Sequence, residues 1–262
     1  MLVLPGSESP NYAVRILSLP GRNGFDLNLT LHQNSRVWTH DSVNATMTFN
    51  ADRDFPSYGF RLDFGYLEFD GESSAYILTE ADGSKRLLTF TATDSYNSDD
   101  SSYINYKPST KLLIYKNGTR VTYQDFPSQP GQLFRPIQIK DTNGNFITIT
   151  YVSGKDQAIN TITDTLGRVV TFGYNADGTL ANITQGARIH AIFTWNTNYA
   201  LNYNFHPSLT VSNTSASGSI HKVLSGCIYN NATSYSFAYG DWGIVKKIEQ
   251  KSSGDIVRNY VE

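Results

Sequence analysis

Two stretches of this 262-residue chain follow one pattern: IKDTNGNFITITY, residues 139–151, and ITDTLGRVVTFGY, residues 162–174. In each stretch an aspartate stands three residues before a glycine, and the glycine stands seven residues before a tyrosine. An isoleucine stands twelve residues before that tyrosine. Because a repeated unit of this size cannot bury its apolar face alone, successive copies have to pack side by side in one continuous sheet.

A third stretch, IEQKSSGDIVRNY at residues 248–260, keeps the twelve-residue step, although its glycine, Gly254, is only six residues before the tyrosine. Between glycine and tyrosine the first two copies alternate apolar and polar residues, as in Ile147, Ile149 and Tyr151. A period of two is typical of a strand with one buried face. Each copy is therefore predicted to be a strand that follows a tight turn.

Composition also favours β-structure. Aromatic residues make up 13% of the chain and charged residues 17%, below the usual share of about a quarter. Turn dipeptides that tolerate a positive φ recur between short apolar runs: Asp70-Gly71, Asp82-Gly83, Asn117-Gly118, Asn143-Gly144 and Asp177-Gly178. The sequence predicts an all-β, antiparallel, hairpin-rich fold with no substantial helix.

The predicted strands lie at residues 26–32, 45–50, 58–69, 74–80, 85–92, 102–106, 111–116, 119–124, 136–141, 145–152, 158–163, 168–174, 179–184, 188–195, 221–229, 233–239, 243–250 and 255–261. Two polar stretches, residues 95–102 and 212–219, are predicted to be loops.

The spacing of aspartate, glycine and tyrosine, followed by a DG turn and Ile183, resembles the YD repeats of bacterial RHS-repeat proteins. That class includes the B and C components of insecticidal toxin complexes and, in animals, the teneurins. SLPGRNGFDLNLTLHQNSRVW, residues 18–38, resembles the lead-in to such repeats. EADGSKRLLTF, residues 80–90, and YKNGTRVTY, residues 115–123, resemble the hairpins that precede the first regular copies.

The resemblance implies three parts: an N-terminal extension, 1–17, a lead-in β-region, 18–130, and an incomplete repeat array, 131–262. The proline-rich segment FPSQPGQLFRP, residues 126–136, is the predicted boundary. In the family, the repeats wind as a curved or spiralling sheet into a shell around a C-terminal toxin or effector. The implied partners are the remainder of the parent protein and that cargo, and open strand edges also predict self-association.

No GxSxG, HExxH, P-loop or GxGxxG motif occurs in the sequence. Carboxylates cluster at Asp52 and Asp54, Asp70 and Glu72, and Asp99 and Asp100, where calcium binding or glycoside hydrolysis competes with turn and surface roles, which we favour. The histidines lack ligand-like spacing: His32, His40, His190, His206 and His221. The chain is therefore predicted not to be an enzyme, with no catalytic, cofactor-binding or metal-binding residue, and its ligand-binding residues are not identified.

The repeat residues themselves have structural interpretations. An aspartate that begins a turn bonds its own backbone, which predicts a turn role for Asp141 and Asp164. Tyr151 and Tyr174 are predicted to form a stacked ladder between adjacent strands rather than platforms for stacking sugars. Cys227 is the only cysteine, which excludes a disulfide and favours a buried small hydrophobe over a nucleophile.

The net charge of −2 gives no electrostatic reason to expect nucleic acid or an anionic membrane as partner. No apolar run is long enough to span a bilayer. The resemblance implies a secreted or cell-surface bacterial protein, although MLVLPGSESP, residues 1–10, is not an intact signal peptide.

The alternative function is a carbohydrate-binding or adhesion module at the cell surface, whose ligand would be a glycan. It requires that several of seven aromatic residues be exposed and coplanar. These residues are Trp38, Tyr58, Tyr66, Tyr103, Tyr106, Trp195 and Trp242.

Overall fold

The computed structural model describes residues 12–41, 45–49, 54–211, 217–229, 233–252 and 255–261. Within these ranges the chain forms β-strands and short 3-10 turns, and it has no α-helix. No helix there is long and apolar enough to cross a membrane. The predicted all-β class is confirmed, and the strand pairs are antiparallel with one exception.

The first thirteen strands are β1, Tyr12–Leu19; β2, Leu27–Gln33; β3, Trp38–Asp41; β4, Thr46–Phe49; β5, Phe60–Arg61; β6, Tyr66–Asp70; β7, Ala75–Thr79; β8, Lys85–Ala92; β9, Ser95–Ser98; β10, Asn105–Lys107; β11, Leu112–Ile114; β12, Arg120–Phe126; and β13, Gln129–Lys140. The remaining strands are β14, Phe146–Tyr151; β15, Ile159–Thr163; β16, Val169–Tyr174; β17, Leu180–Gln185; β18, Arg188–Leu201; β19, Thr210–Val211; β20, Ser219–Tyr229; β21, Thr233–Tyr239; β22, Val245–Ser252; and β23, Asp255–Val261.

Strands β6 to β13 close into a ring in which each strand pairs with its neighbours in the chain. The ring is closed by β13, whose Leu133 and Phe134 pair with Glu68 and Leu67 of β6. Eight strands enclose a space that side chains fill. Its interior is indeed packed, for instance by Tyr106, which is fully buried, with its ring 4.7 Å from that of Tyr76.

Strand β13 belongs to two sheets at once. On one side it pairs with β12 throughout, and on the other it pairs first with β6 and then, from Gln138 to Lys140, with β14. Pro136, which has no N–H to donate, lies between the two segments where the partner changes. The proline-rich segment predicted as a boundary ends β12 at Phe126, turns, and continues from Gln129 as β13, which joins the barrel to the repeats. The division at residues 130 and 131 stays a prediction.

Beyond β13 the repeats form an open antiparallel sheet in the order β14, β15, β16, β17, β18, β20, β21, β22 and β23. The aliphatic residues of the repeat lie on its buried face, where Ile162 and Ile183 are fully buried. The strands predicted from the alternating pattern are confirmed here. The sheet is continuous with the closed barrel through β13. Its winding into a spiral stays a prediction.

The buried face of the repeat sheet is covered by a small sheet made of β1, β2 and β5. Leu29 and Phe60 of this sheet are buried against it, and the Phe60 ring lies 4.6 Å from that of Phe237 in β21. The PGRNG turn then reaches the repeat turns, because Arg168 donates a hydrogen bond to the carbonyl of Pro20. Gly21 is required there, since a Cβ would lie 1.8 Å from the carbonyl oxygen of Phe25.

A third sheet consists of β3, β4 and β19, and its β4–β19 pair is the parallel exception. It carries an aromatic cluster in which the Trp38 ring packs 5.0 Å from Phe49 and 4.9 Å from Phe205. Trp38 Nε1 also donates to the carbonyl of Trp242, 2.7 Å away. These contacts fix the long excursion between β18 and β20 against the rest of the chain.

Several expectations about single strands are corrected. The residues 95–102 are not all loop, because Ser95–Ser98 forms β9 and completes the barrel. The predicted strand 58–69 is two strands separated by a turn in which Asp63 accepts from Gly65 N–H. Strands β1, β3 and β19 are absent from the predicted set. Most of the predicted loop 212–219 lies outside the described residues.

Candidate functional site

The repeat aromatics are joined to the backbone of the preceding hairpin. Tyr151 Oη donates to the carbonyl of Pro136 at 2.8 Å, and Tyr174 Oη donates to that of Ile159 at 2.6 Å. In both cases the acceptor lies 15 residues before the donor. Burial raises the pKa of Tyr174 well above its usual value, so its hydroxyl stays a donor. Among the described residues no contact joins the rings of Tyr151 and Tyr174, so the predicted stacked ladder is replaced by rungs, which are hydrogen bonds from each ring to the backbone of the preceding hairpin.

A bulge in the strand pairing precedes each of these aromatics and turns its side chain toward the neighbouring hairpin. Trp195 repeats the arrangement: a bulge lies between Thr194 and Trp195, and its Nε1 donates to the carbonyl of Leu180, 15 residues earlier, at 2.8 Å. Sequence reasoning missed this copy because it has tryptophan in place of tyrosine. The signal was present, since Ile183 stands twelve residues before Trp195.

Replacing Tyr174 with phenylalanine should lower the free energy of unfolding by about 1–2 kcal/mol, because the Ile159 carbonyl loses its donor while staying buried. Urea unfolding at neutral pH measures this loss. Tyr103→Phe is the matched control, since Tyr103 is 66% exposed, and should change stability by less than about 0.5 kcal/mol. Equal effects of the two substitutions would contradict the rung.

The repeat aspartates hold the turns that precede the strands. Asp164 Oδ1 accepts from the backbone N–H groups of Leu166 and Arg168, and its Oδ2 accepts from Arg168 Nε at 2.6 Å. Asp141 accepts in the same way from the backbone and side chain of Asn145. The structural role predicted for both aspartates is seen directly in these bonds.

Cys227 occupies the aliphatic position of a further copy, twelve residues before Tyr239. It is fully buried, and burial raises its pKa to about 12. A thiol reagent at pH 8 should therefore react with the folded protein far more slowly than with protein unfolded in urea. Absorbance of released thionitrobenzoate measures both rates, and rapid reaction of the folded protein would contradict the packing.

The carboxylate clusters serve turns and ion pairs in the structure. Asp70 accepts from Glu72 N–H and from the Ser73 hydroxyl, and Asp99 accepts from the Thr89 hydroxyl. Asp54 lies 3.7 Å from Arg61, whereas its neighbour Asp52 is outside the described residues.

The histidines lie apart, and among the described residues no three His, Cys, Asp or Glu side chains are grouped to hold a metal ion. His221 packs edge-on against Phe49 and lies 3.2 Å from the Tyr58 hydroxyl. His190 is buried near Gln185. Burial lowers the pKa of both histidines, which favours neutral imidazole.

The seven aromatic residues that distinguish a wall from a binding platform are mostly packed. Tyr66 and Tyr106 are buried, and the other described members except one are half-buried. Tyr103 alone of the seven is exposed. The seven therefore form no coplanar exposed row.

An open cleft of about 570 Å³ lies at one end of the barrel, and Tyr103 adjoins it through Lys116, which lines the cleft and has its Nζ 4.7 Å from the centre of the Tyr103 ring. The cleft is formed where the turns after β7 and β11 meet the connection from β9 to β10. Its lining residues are Glu80, Arg86, Ser102, Ile104, Tyr115, Lys116 and Asn117. The sequence analysis identified none of these as ligand-binding residues.

Charges in the cleft are arranged around Glu80. Its Oε2 accepts from the Tyr115 hydroxyl at 3.0 Å, and its Oε1 lies 3.5 Å from Arg86 Nε. Burial and the Glu80 carboxylate raise the pKa of Tyr115, which keeps the phenol protonated. Arg86 also pairs with Asp100. The Ser102 hydroxyl, its backbone N–H and Arg86 lower the pKa of Asp100 to about 2, so Asp100 is charged at neutral pH.

No family model and no curated protein matches the sequence. Among solved structures, the chain is similar to a TcdB2-TccC3-Cdc42 structure, with 9% identity over 95% of this chain and a TM-score of 0.39. It is also similar to the N-terminal domain of the effector protein SpvB from Salmonella typhimurium strain LT2, with 10% identity, 95% of this chain and 99% of that chain covered, and a TM-score of 0.36.

A porin-like protein from Bacteroides uniformis is similar at 13% identity, with 95% of this chain and 92% of that chain covered and a TM-score of 0.32. The chain spans only 15% of the TcdB2-TccC3 chain in the first of these structures. Likenesses at this level are general ones between all-β proteins, and they do not establish a family for the chain.

Proposed function

We propose that this chain is a non-catalytic structural segment of an RHS-type shell, which in the parent protein encapsulates or presents a C-terminal toxin or effector. The observation that carries the proposal is the series of rungs at Tyr151, Tyr174 and Trp195. Each rung ties a hairpin to the one before it, so the repeat residues serve to extend a wall. The residue pattern that resembles YD repeats is the same pattern that makes the rungs.

The arrangement of the sheet supports a wall that grows in one direction. Its first strand, β14, is joined to the closed barrel through β13, and one face is covered by β1, β2 and β5. The hairpin series ends at β23, which pairs with β22. Further hairpins of the same kind would add beyond β23. The partners under this proposal are the rest of the parent protein and its cargo, and the location is outside a bacterial cell or at its surface.

The test uses the protein made from the complete reading frame that contains this chain. Limited proteolysis should leave a folded segment downstream of Glu262 protected, and cryo-electron microscopy should show hairpins continuing past β23. The Phe60→Ala variant, which weakens the packing of the wall, should lose that protection at a lower urea concentration. A reading frame that stops at residue 262, or a downstream segment cut as fast as an unfolded peptide, would contradict the shell.

The isolated chain should self-associate through β23, because backbone groups at the edge of a sheet pair readily with another chain. Sedimentation velocity at several protein concentrations measures the association. A monomer at all concentrations would contradict the expected self-association but would leave the description of the fold unchanged.

A second candidate function, a carbohydrate-binding or adhesion module, is favoured by one observation. Tyr103 is 66% exposed and lies next to the cleft that contains Glu80 and Lys116. An exposed aromatic ring beside hydrogen-bonding groups is the arrangement that sugar recognition uses. Since the remaining six candidate aromatics are packed, the shell stays the primary proposal.

A further inference from the structure

The cleft at the end of the barrel is wide open to solvent and has a lining of mixed polarity. Its volume of about 570 Å³ falls within the range of ligand pockets. The buried side chain of Ile104 gives it an apolar floor, while Glu80, Lys116 and Asn117 supply polar groups around it. A ligand here would have both an apolar face and polar substituents.

The backbone holds Tyr103 outward at a cost. Its φ is +56°, and Ser101, two residues earlier, has a φ of +62°. A bulky side chain rarely adopts this left-handed conformation, and such strain persists only where surrounding structure enforces it. Asp100 enforces it here by accepting from the backbone N–H and hydroxyl of Ser102. The result is a turn that leaves the Tyr103 ring exposed next to Lys116 of the cleft.

Lys116 supplies a cation without a carboxylate partner. Its Nζ lies 4.7 Å from the centre of the Tyr103 ring, and no described carboxylate lies within 4.0 Å of it. Arg86 differs, since Glu80 and Asp100 both neutralise it. The charge that the cleft can offer to a ligand is therefore the ammonium of Lys116.

Glu80 is the acceptor that completes the site. The hydrogen bond from Tyr115 and the ion pair with Arg86 fix its position, and its side chain is 24% exposed. Each carboxylate oxygen can accept more than one hydrogen bond, so the exposed lone pairs remain for hydroxyl donors. A ligand that bears hydroxyl groups matches this acceptor.

We propose that the cleft binds a small acidic saccharide. The sugar carboxylate pairs with Lys116 Nζ, the hydroxyls donate to Glu80, and the apolar face of the ring lies against Tyr103. The inference does not depend on the shell, and it specifies the ligand class of the second candidate function. Its failure would leave the shell proposal unchanged.

The test titrates the full chain with D-galacturonic acid, D-galactose and sodium acetate, and follows binding by isothermal calorimetry and NMR shift changes. Galacturonic acid should bind about tenfold more tightly than galactose. A higher salt concentration should weaken the binding of galacturonic acid but not that of galactose. Acetate, which has the carboxylate without the ring, should bind more weakly than galacturonic acid.

Two variants locate the site. Lys116→Gln should reduce the affinity for galacturonic acid to that for galactose. Tyr103→Asn should abolish detectable binding of both sugars while leaving thermal stability unchanged or higher, because asparagine tolerates a positive φ. Phe90→Asn is the matched control: Phe90 is a 61% exposed aromatic at the far end of β8, and its loss should leave binding intact.

Four outcomes would overturn the proposal. They are equal affinity for galactose and galacturonic acid, acetate binding as tightly as the sugar acid (an adventitious anion only), unchanged binding in Tyr103→Asn, and no binding of either sugar at millimolar concentrations. A protein partner that requires Tyr103 while neither sugar binds would also replace the saccharide with a docking role.

Discussion

Replacing Arg61 with alanine should lower the free energy of unfolding by about 3–5 kcal/mol, since it removes a buried cation that pairs with two buried carboxylates. The Arg61 side chain is 2% exposed, and those of Asp54 and Asp63 are each 8% exposed. Arg61 Nη2 donates to Asp63 at 3.0 Å, and its guanidinium lies 5.4 Å from the ring centre of Tyr66. Urea unfolding at neutral pH, followed by tryptophan fluorescence, measures the loss.

The control for this substitution is a solvent-exposed ion pair on the protein surface. Lys222 and Asp177 lie 2.9 Å apart, with side chains 46% and 37% exposed, so Lys222→Gln should cost less than about 1 kcal/mol. If Arg61→Ala cost no more than Lys222→Gln, the buried cluster would not be holding β5 against the start of the barrel.

Truncation of Phe60 to alanine should cost about 3–5 kcal/mol, because it opens a cavity between the N-terminal sheet and the repeats. Phe60 is fully buried and packs on Phe237, which lies far along the chain in β21. Unfolding should remain a single transition with a lower urea midpoint, because the two sheets share one core.

Phe90→Ala provides the comparison for Phe60→Ala. Phe90 is 61% exposed, and its truncation should change stability by less than about 0.5 kcal/mol. Two separate transitions in Phe60→Ala, seen by circular dichroism and fluorescence at different urea concentrations, would show instead that the N-terminal sheet folds by itself.

Local features of the fold could be predicted because residues close in sequence determine them. Of the five turn pairs predicted from the sequence, four lie between consecutive strands and Asp70-Gly71 begins at the last residue of β6. Gly118 and Gly178 have the positive φ that tight turns require. The turn role of Asp164 likewise needs only partners two and four residues away. Turn-forming residues and the alternation of apolar and polar residues are local features, and they were sufficient to predict these turns and strands.

Closure of the barrel could not be predicted, because it depends on a pairing between distant segments. Phe134 pairs with Leu67, which lies far away in the sequence, and neither segment contains a pattern that indicates its partner. The polarity of residues 95–98 suggested a loop, yet their backbone pairs on both sides as β9. Pairing by the backbone does not need apolar side chains.

The cleft was missed for the same reason. Glu80, Tyr103 and Tyr115 come from three different connections of the barrel, and only its closure brings them to one end. Neither the strain at Tyr103 nor the solitary charge of Lys116 has a sequence signature. The repeat copies that contain Trp195 and Cys227 could have been predicted, because both keep the twelve-residue spacing. They were missed because one has tryptophan in place of the tyrosine and the other has cysteine in place of the aliphatic residue.

The contact between Phe60 and Phe237 also affects how the chain folds during its synthesis. A ribosome adds about 5–20 residues per second, so the 177 residues that separate these two rings take roughly 9–35 s to appear. During that time the repeat sheet that β1, β2 and β5 cover is still incomplete, because its strands from β14 onward are made one after another. Strands β1, β2 and β5 are therefore made before the sheet that buries them is complete, and a chaperone that holds nascent apolar segments would bind these strands until β21 has been made.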